Sequence, residues 1–118
     1  MTTQDTANAL VAMWKAGEYD ESGEKYWAED VCSVEPMGDN PEIHGKDAAR
    51  AKGEWWNKTH EIHSAEVEGP YVNGDQFVVR FKFDVTVRDG GQRMTLDEMA
   101  VYTVKAGKIA EERFFYGQ

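Results

Sequence analysis

The sequence predicts an α+β fold, with helices in the first half and antiparallel strands in the second, and two observations carry that prediction. Apolar residues recur at helical spacing through most of the chain up to His60, and beyond Ser64 the apolar period changes to two. Over residues 6–15, Ala7, Leu10, Val11 and Trp14 fall on one helical face, with Thr3 or Asp5 as the cap and Gly17 as the stop. Residues 20–28 read as a shorter second helix, with Tyr26 and Trp27 at its apolar end and Glu29-Asp30 as the break. Residues 31–35 read as a short strand running into Pro36. The turn formers Gly38, Asp39, Asn40 and Pro41 make 37–45 a loop. A third helix starts near Lys46, carries Ala49, Gly53, Trp56 and His60 on one stripe, and ends before Ser64.

Four strands complete the prediction. Residues 64–71 form the first, closed by Asn73-Gly74. In residues 76–88, Phe77, Val79, Phe81, Phe83, Val85 and Val87 take one face and polar residues the other, the alternation of an antiparallel strand with one covered face. Asp89-Gly90-Gly91 turns the chain into residues 93–105, and Ala106-Gly107-Lys108 turns it into 109–116. The expected order is helix, helix, strand, helix and a four-stranded meander, without repeats or linkers.

Composition narrows the function. A chain of 118 residues is one domain, 1–118, since single cores are commonest at roughly 100–150 residues. Thirteen basic against 22 acidic residues give a net charge of −9, which repels nucleic acid and anionic membranes alike. With 41% hydrophobic and 12% aromatic residues the chain can build a core. No apolar run reaches the ~20 residues of a membrane helix, and no basic start marks an export signal, so a cytoplasmic setting is expected. A lone Cys32 can close no internal disulfide and suggests no cysteine zinc site.

Three segments resemble the NTF2-like superfamily, and within it the SnoaL-like group. They are Ala16-Gly17-Glu18 through Ala28-Glu29-Asp30; Val34-Glu35-Pro36 with His44-Gly45-Lys46-Asp47-Ala48; and Ala100-Val101-Tyr102-Thr103-Val104 with Gly107-Lys108-Ile109 and Phe114-Phe115-Tyr116. The resemblance implies a cone: three N-terminal helices packed on a curved, mostly antiparallel sheet, with a pocket opening among the helices. It also implies a homodimer through the outer sheet face, where Met99, Val101 and Phe115 would otherwise be exposed. The chemistry implied is cofactor-independent acid–base work of isomerase, cyclase, dehydratase or hydrolase type on an apolar, ring-containing small molecule. The alternative within the superfamily is a domain that only binds or dimerises.

The resemblance lays Glu35 on the catalytic base of the ketosteroid isomerases, just before a proline. A carboxylate there, facing an aromatic pocket, would be partly desolvated and raised in pKa toward useful values. The isomerase oxyanion hole, a tyrosine and a protonated aspartate, is replaced by Leu10 and Ala100, leaving Tyr102, Trp14 and Trp56 as donors. The cyclase acid/base aspartate falls on Phe114, with Glu112 and Tyr116 two positions to either side on the same face. Glu98 shares the apolar face of its strand and needs a partner, either Arg80 or Arg113 in an ion pair, or a carboxylate cluster with Glu35 and Glu112. His60, Glu61 and His63 have helical spacing near that of metal ligands but read as a surface histidine pair, and no metal is expected. His60 also follows the packed stripe and could border the pocket. Trp14, Trp27 and Trp56 supply flat walls for a ring-shaped ligand, or else fill the cone themselves. Cys32 alternates away from Glu35 and reads as a small buried apolar residue.

Overall fold

The structure, a computed structural model, describes residues 2–117. Helix α1 spans Thr3–Lys15, α2 Tyr19–Tyr26, strand β1 Trp27–Val34, β2 Glu42–His44, α3 Lys46–Thr59, β3 His60–Asn73, β4 Gln76–Val87, β5 Arg93–Lys105 and β6 Lys108–Phe115. The strands form one sheet in the order β2-β1-β6-β5-β4-β3, in which only the β1–β6 pair is parallel. Three helices on a curved, mostly antiparallel sheet is the α+β cone expected, and β3 to β6 form the expected meander. Two register shifts, between Ile62 and Ser64 and between Glu68 and Tyr71 of β3, interrupt its ladder with β4, the kind of irregularity that increases a strand's local bend and twist.

Periodicity decides what is buried. Leu10, Val11 and Trp14 of α1 pack with Phe77, Val79, Phe81 and Val85 of β4 and with Tyr102 and Val104 of β5. The Trp14 ring lies 5.0 Å from Tyr102 and 5.3 Å from Phe81, centroid to centroid, and its Nε1 donates to Ser22 Oγ at 2.9 Å. Trp14 is therefore chiefly a core residue.

Several boundaries differ from the sequence reading, each for a local reason. The α1 cap is Thr2, not Thr3 or Asp5: Asp5 N–H donates to Thr2 Oγ1 and Thr2 N–H to Asp5 Oδ2, both at 3.1 Å, a reciprocal capping box. Helix α2 stops at Tyr26 because Trp27 turns extended and pairs with Ile109 of β6; so short a helix has little cooperativity to resist a strand ladder. Residues 42–44, expected as loop, form the edge strand β2, secured by Glu35 N–H to Pro41 C=O at 2.7 Å and Gly45 N–H to Val31 C=O at 2.8 Å. Helix α3 ends at Thr59, whose hydroxyl donates back to the Trp55 carbonyl at 2.9 Å, and His60 opens β3 opposite Val87. The histidines thus lie on a strand, and His63 Nε2 meets Thr86 Oγ1 at 2.7 Å. Cys32 is only half-buried, on the outer face opposite His44, rather than in the core.

The Trp27 ring lies over Gly23, and a Cβ there would fall 2.6 Å from two of its carbons. Helix propensity alone would make Gly23→Ala stabilising by about 1 kcal/mol. The overlap reverses the sign, and we expect a loss of about 1–3 kcal/mol, measured by urea unfolding.

Candidate functional site

Period-two alternation on three adjacent strands brings the polar groups of the inner face together. On β1, Val31 and Ser33 are fully buried and Glu35 follows two positions on. On β6, Glu112 stands beside Ser33 on one side and Tyr102 of β5 on the other, and Phe114 stands beside Ala100. Further along β5, Glu98 lies opposite Phe81 of β4. Helix α3 crosses this end of the sheet and sends Lys52 down onto it from the face that also carries Ala49 and Trp56.

Lys52 connects the group. Its Nζ donates to Ser33 Oγ at 2.8 Å, pairs with Glu35 Oε1 at 2.5 Å and lies 4.7 Å from the Phe114 ring centroid. Ser33 in turn donates to Glu112 Oε2, and Trp27 Nε1 donates to Glu112 Oε1, each at 2.8 Å. Glu112 is 7% exposed, and both its oxygens are engaged. Burial pushes its pKa up; the Trp27 and Ser33 hydrogen bonds and the Lys52 charge hold it down.

Glu98 is in a different state. Among the described residues none donates a hydrogen bond to its carboxylate or ion-pairs with it. Its pKa is pushed up to about 7, first by burial and then by the Glu35 charge, with Lys52 opposing and Glu112 adding. Arg80 and Arg113, the partners of right charge, belong to the other side of the sheet: Arg80 Nη2 lies 2.6 Å from Asp97 Oδ2, and Arg113 Nη2 lies 3.3 Å from Glu111 Oε1. Of the two expectations for Glu98, the ion pair gives way to the carboxylate cluster. Two tyrosines border it. Burial foremost raises the Tyr102 hydroxyl well above its ordinary pKa, reinforced by the Glu112 and Glu98 charges. Tyr116 is pushed up to about 12 by burial, by the Glu35 charge and by its hydrogen bond to Glu35.

The structure therefore gathers Glu35, Glu98, Glu112, Tyr102, Phe114, Tyr116 and Trp27. His60 and Trp56 form a separate stack, ring centroids 3.8 Å apart, beside Phe83 and the exposed Trp55. Sequence reasoning missed Lys52 and Ser33, although each carried a signal. Lys52 is three residues after Ala49 and four before Trp56 on the apolar stripe, and Ser33 alternates in phase with Glu35. Two surface grooves, of about 440 and 510 Å³, lie elsewhere: one between Trp14–Glu21 and β3, the other between Trp27–Asp30 and the β5–β6 turn. At the carboxylate cluster Glu35 and Lys52 keep 24% and 27% of their side chains exposed.

Fold and site together define an NTF2-like α+β protein with an acid–base cluster on the concave side of its sheet. The chain belongs to the SnoaL-like domain family, whose match covers residues 1–116. It is similar to a candidate SnoaL-like polyketide cyclase of Mesorhizobium loti, also designated a carbohydrate phosphatase, with 51% identity, 98% of this chain and 100% of that one covered, and a TM-score of 0.95. The fold is shared with a candidate isomerase of Bacillus subtilis (18% identity, 99% and 90% covered, TM-score 0.82). It is shared too with a protein of ketosteroid isomerase-like fold from Catenulispora acidiphila (14% identity, 93% and 83% covered, TM-score 0.74). No protein of curated function matches the chain.

A carboxyl group with a pKa near 7 in the folded state and 4.5 in the unfolded chain binds more protons when folded between those values. Its contribution is fully present below pH 4.5 and is lost as pH rises through about 7. Wild-type stability should therefore fall by up to about 3 kcal/mol over that window relative to Glu98→Gln, as read by denaturant titrations at several pH values.

Proposed function

We propose that this protein is a cofactor-independent acid–base catalyst acting on an apolar, ring-containing small molecule, of isomerase, cyclase, dehydratase or hydrolase type. The observation that carries the reading is Glu98, a largely buried, unpaired carboxyl group whose pKa of about 7 lets it take and return a proton at neutral pH. Glu35, the base implied by the resemblance, is engaged by Lys52, and its charge serves to raise Glu98. Glu112 positions the cluster, because both its oxygens already accept hydrogen bonds. Lys52, Tyr116 and Tyr102 are the donors able to meet negative charge developing on a substrate oxygen, in place of the Leu10 and Ala100 side chains. Phe114 and the rims of the tyrosines supply the flat apolar contacts. The similar Mesorhizobium loti protein, a candidate polyketide cyclase, agrees with chemistry on a ring.

A second reading, ligand binding without turnover, is favoured by Trp14, which fills the centre of the sheet's concave side. One experiment separates the two. In D2O, the α-protons of a panel of cyclic ketones are followed by NMR with wild type, Glu98→Gln and Glu35→Gln. Catalysis predicts exchange that rises with pH through about 7, falls roughly 10²–10⁴-fold in Glu98→Gln, and shifts to lower pH in Glu35→Gln. Loss in Glu35→Gln with Glu98→Gln unaffected would return the base to Glu35, and ligand shifts without exchange would favour the binding reading.

The proposal includes a homodimer through the outer sheet face. Met99 and Phe115, paired across β5 and β6, are 40% and 48% exposed, and Tyr71 on β3 is 62% exposed. Sedimentation should give twice the chain mass for wild type and a single chain mass for Met99→Lys combined with Phe115→Lys.

A further inference from the structure

Beyond the acid–base cluster, the outer side of the same sheet edge brings together three ligand types from two strands. Cys32 of β1 stands directly opposite His44 of β2, and Glu42 shares the His44 side of that short strand. Cys32 Sγ and one ligand atom each from Glu42 and His44 all lie within 4.8 Å of one another, with His44 Nε2 and Glu42 Oε2 3.2 Å apart.

From this geometry we infer a binding site for a divalent transition ion of zinc type, held by Cys32 Sγ, His44 Nε2 and Glu42 Oε2. Zinc takes ligands at about 2.0–2.3 Å in a tetrahedron, which sets ligand atoms roughly 3.3–3.8 Å apart. Glu42 and His44 are more than half exposed, so turning their side chains is the movement that would draw the trio in from its present spacing onto an ion. One thiolate, one imidazole and one carboxylate form a donor set that suits zinc better than magnesium or calcium, which prefer oxygen alone. On binding, the Cys32 thiol releases its proton to solvent and the His44 proton resides on Nδ1. The two anionic ligands then cancel the charge of the ion, and water takes the fourth position.

The surroundings are compatible. Glu111 of β6 stands beside Cys32 on the side away from β2, and its charge and that of Glu42 make the thiol's environment negative. The cation nearby, Arg113, is paired with Glu111 at 3.3 Å. The single cysteine counts against a cysteine zinc site and the histidine pair at His60 and His63 reads as surface; a mixed donor set built by β1–β2 pairing falls under neither reading. An ion there ties the three-residue edge strand to β1, whose inner side carries Ser33 and leads to Glu35.

The test uses the full chain, kept reduced with a phosphine, and zinc in competition with a chromophoric chelator. One zinc per chain is expected, with affinity at least 10-fold weaker in Cys32→Ser and in His44→Ala. Cobalt should give a thiolate-to-metal charge-transfer band in wild type that is missing from Cys32→Ser. If either variant is poorly folded, zinc protection of the wild-type thiol from alkylation gives the same answer. Zinc affinity unchanged in Cys32→Ser, cobalt binding without the thiolate band, or alkylation indifferent to zinc would each overturn the site.

Discussion

The structure turns on the buried carboxylate of Glu112. An ionised carboxylate out of water costs several kcal/mol unless its oxygens are met, and hydrogen bonds to a charged group return about 1.5–3 kcal/mol each. Trp27 meets one oxygen and Ser33 the other. These contacts tie the start and the far end of β1 to β6, next to the parallel ladder between the two strands. Ser33 is then fixed as a donor to Glu112 and as an acceptor from Lys52, which draws α3 onto the sheet. Gly23 follows from the same requirement, because only a residue without a side chain leaves room for the Trp27 ring.

Once Glu112 is satisfied, the remaining charges settle unequally. Three carboxylates surround one lysine, and Lys52 gives its contacts to Glu35 and, through Ser33, to Glu112. Glu98 is left with burial and repulsion, and both favour its protonated form. The difference between Glu98 and Glu35 is thus one of position relative to a single ammonium group. A carboxyl group raised in this way toward neutral pH is suited to giving and taking a proton.

The parts of this arrangement that follow from period alone were legible in the sequence. Strand alternation put Glu98 on the apolar face with Tyr102, and Glu112 on the same face as Phe114 and Tyr116. A cluster with Glu35 followed as one of two options. Alternation alone already set Arg80 on the face away from Phe81 and Arg113 on the face away from Glu112, which weighs against the ion pair. What was not legible was the partner each would take, Asp97 for Arg80 and Glu111 for Arg113. Helix ends and short strands were lost for a related reason. Trp27 looks helical locally until β6 offers it a ladder, and residues 42–44 look like a turn until β1 pairs with them. Tertiary pairing overrides local preference most easily where a segment is short.

Strand β1 shows how one element serves two surfaces. Its period of two sends Val31 and Ser33 to the core, with Glu35 continuing that phase, and leaves Cys32 on the outside with Glu111 and His44 as neighbours. A slip of one residue would bury the thiol and expose the hydroxyl, removing the donor from Glu112 and stranding its charge. The register of β1 is therefore held by the cost of an unmet carboxylate rather than by apolar burial alone. The outer face inherits its geometry from that constraint: Cys32 stands across from His44 because Ser33 must stand beside Glu112.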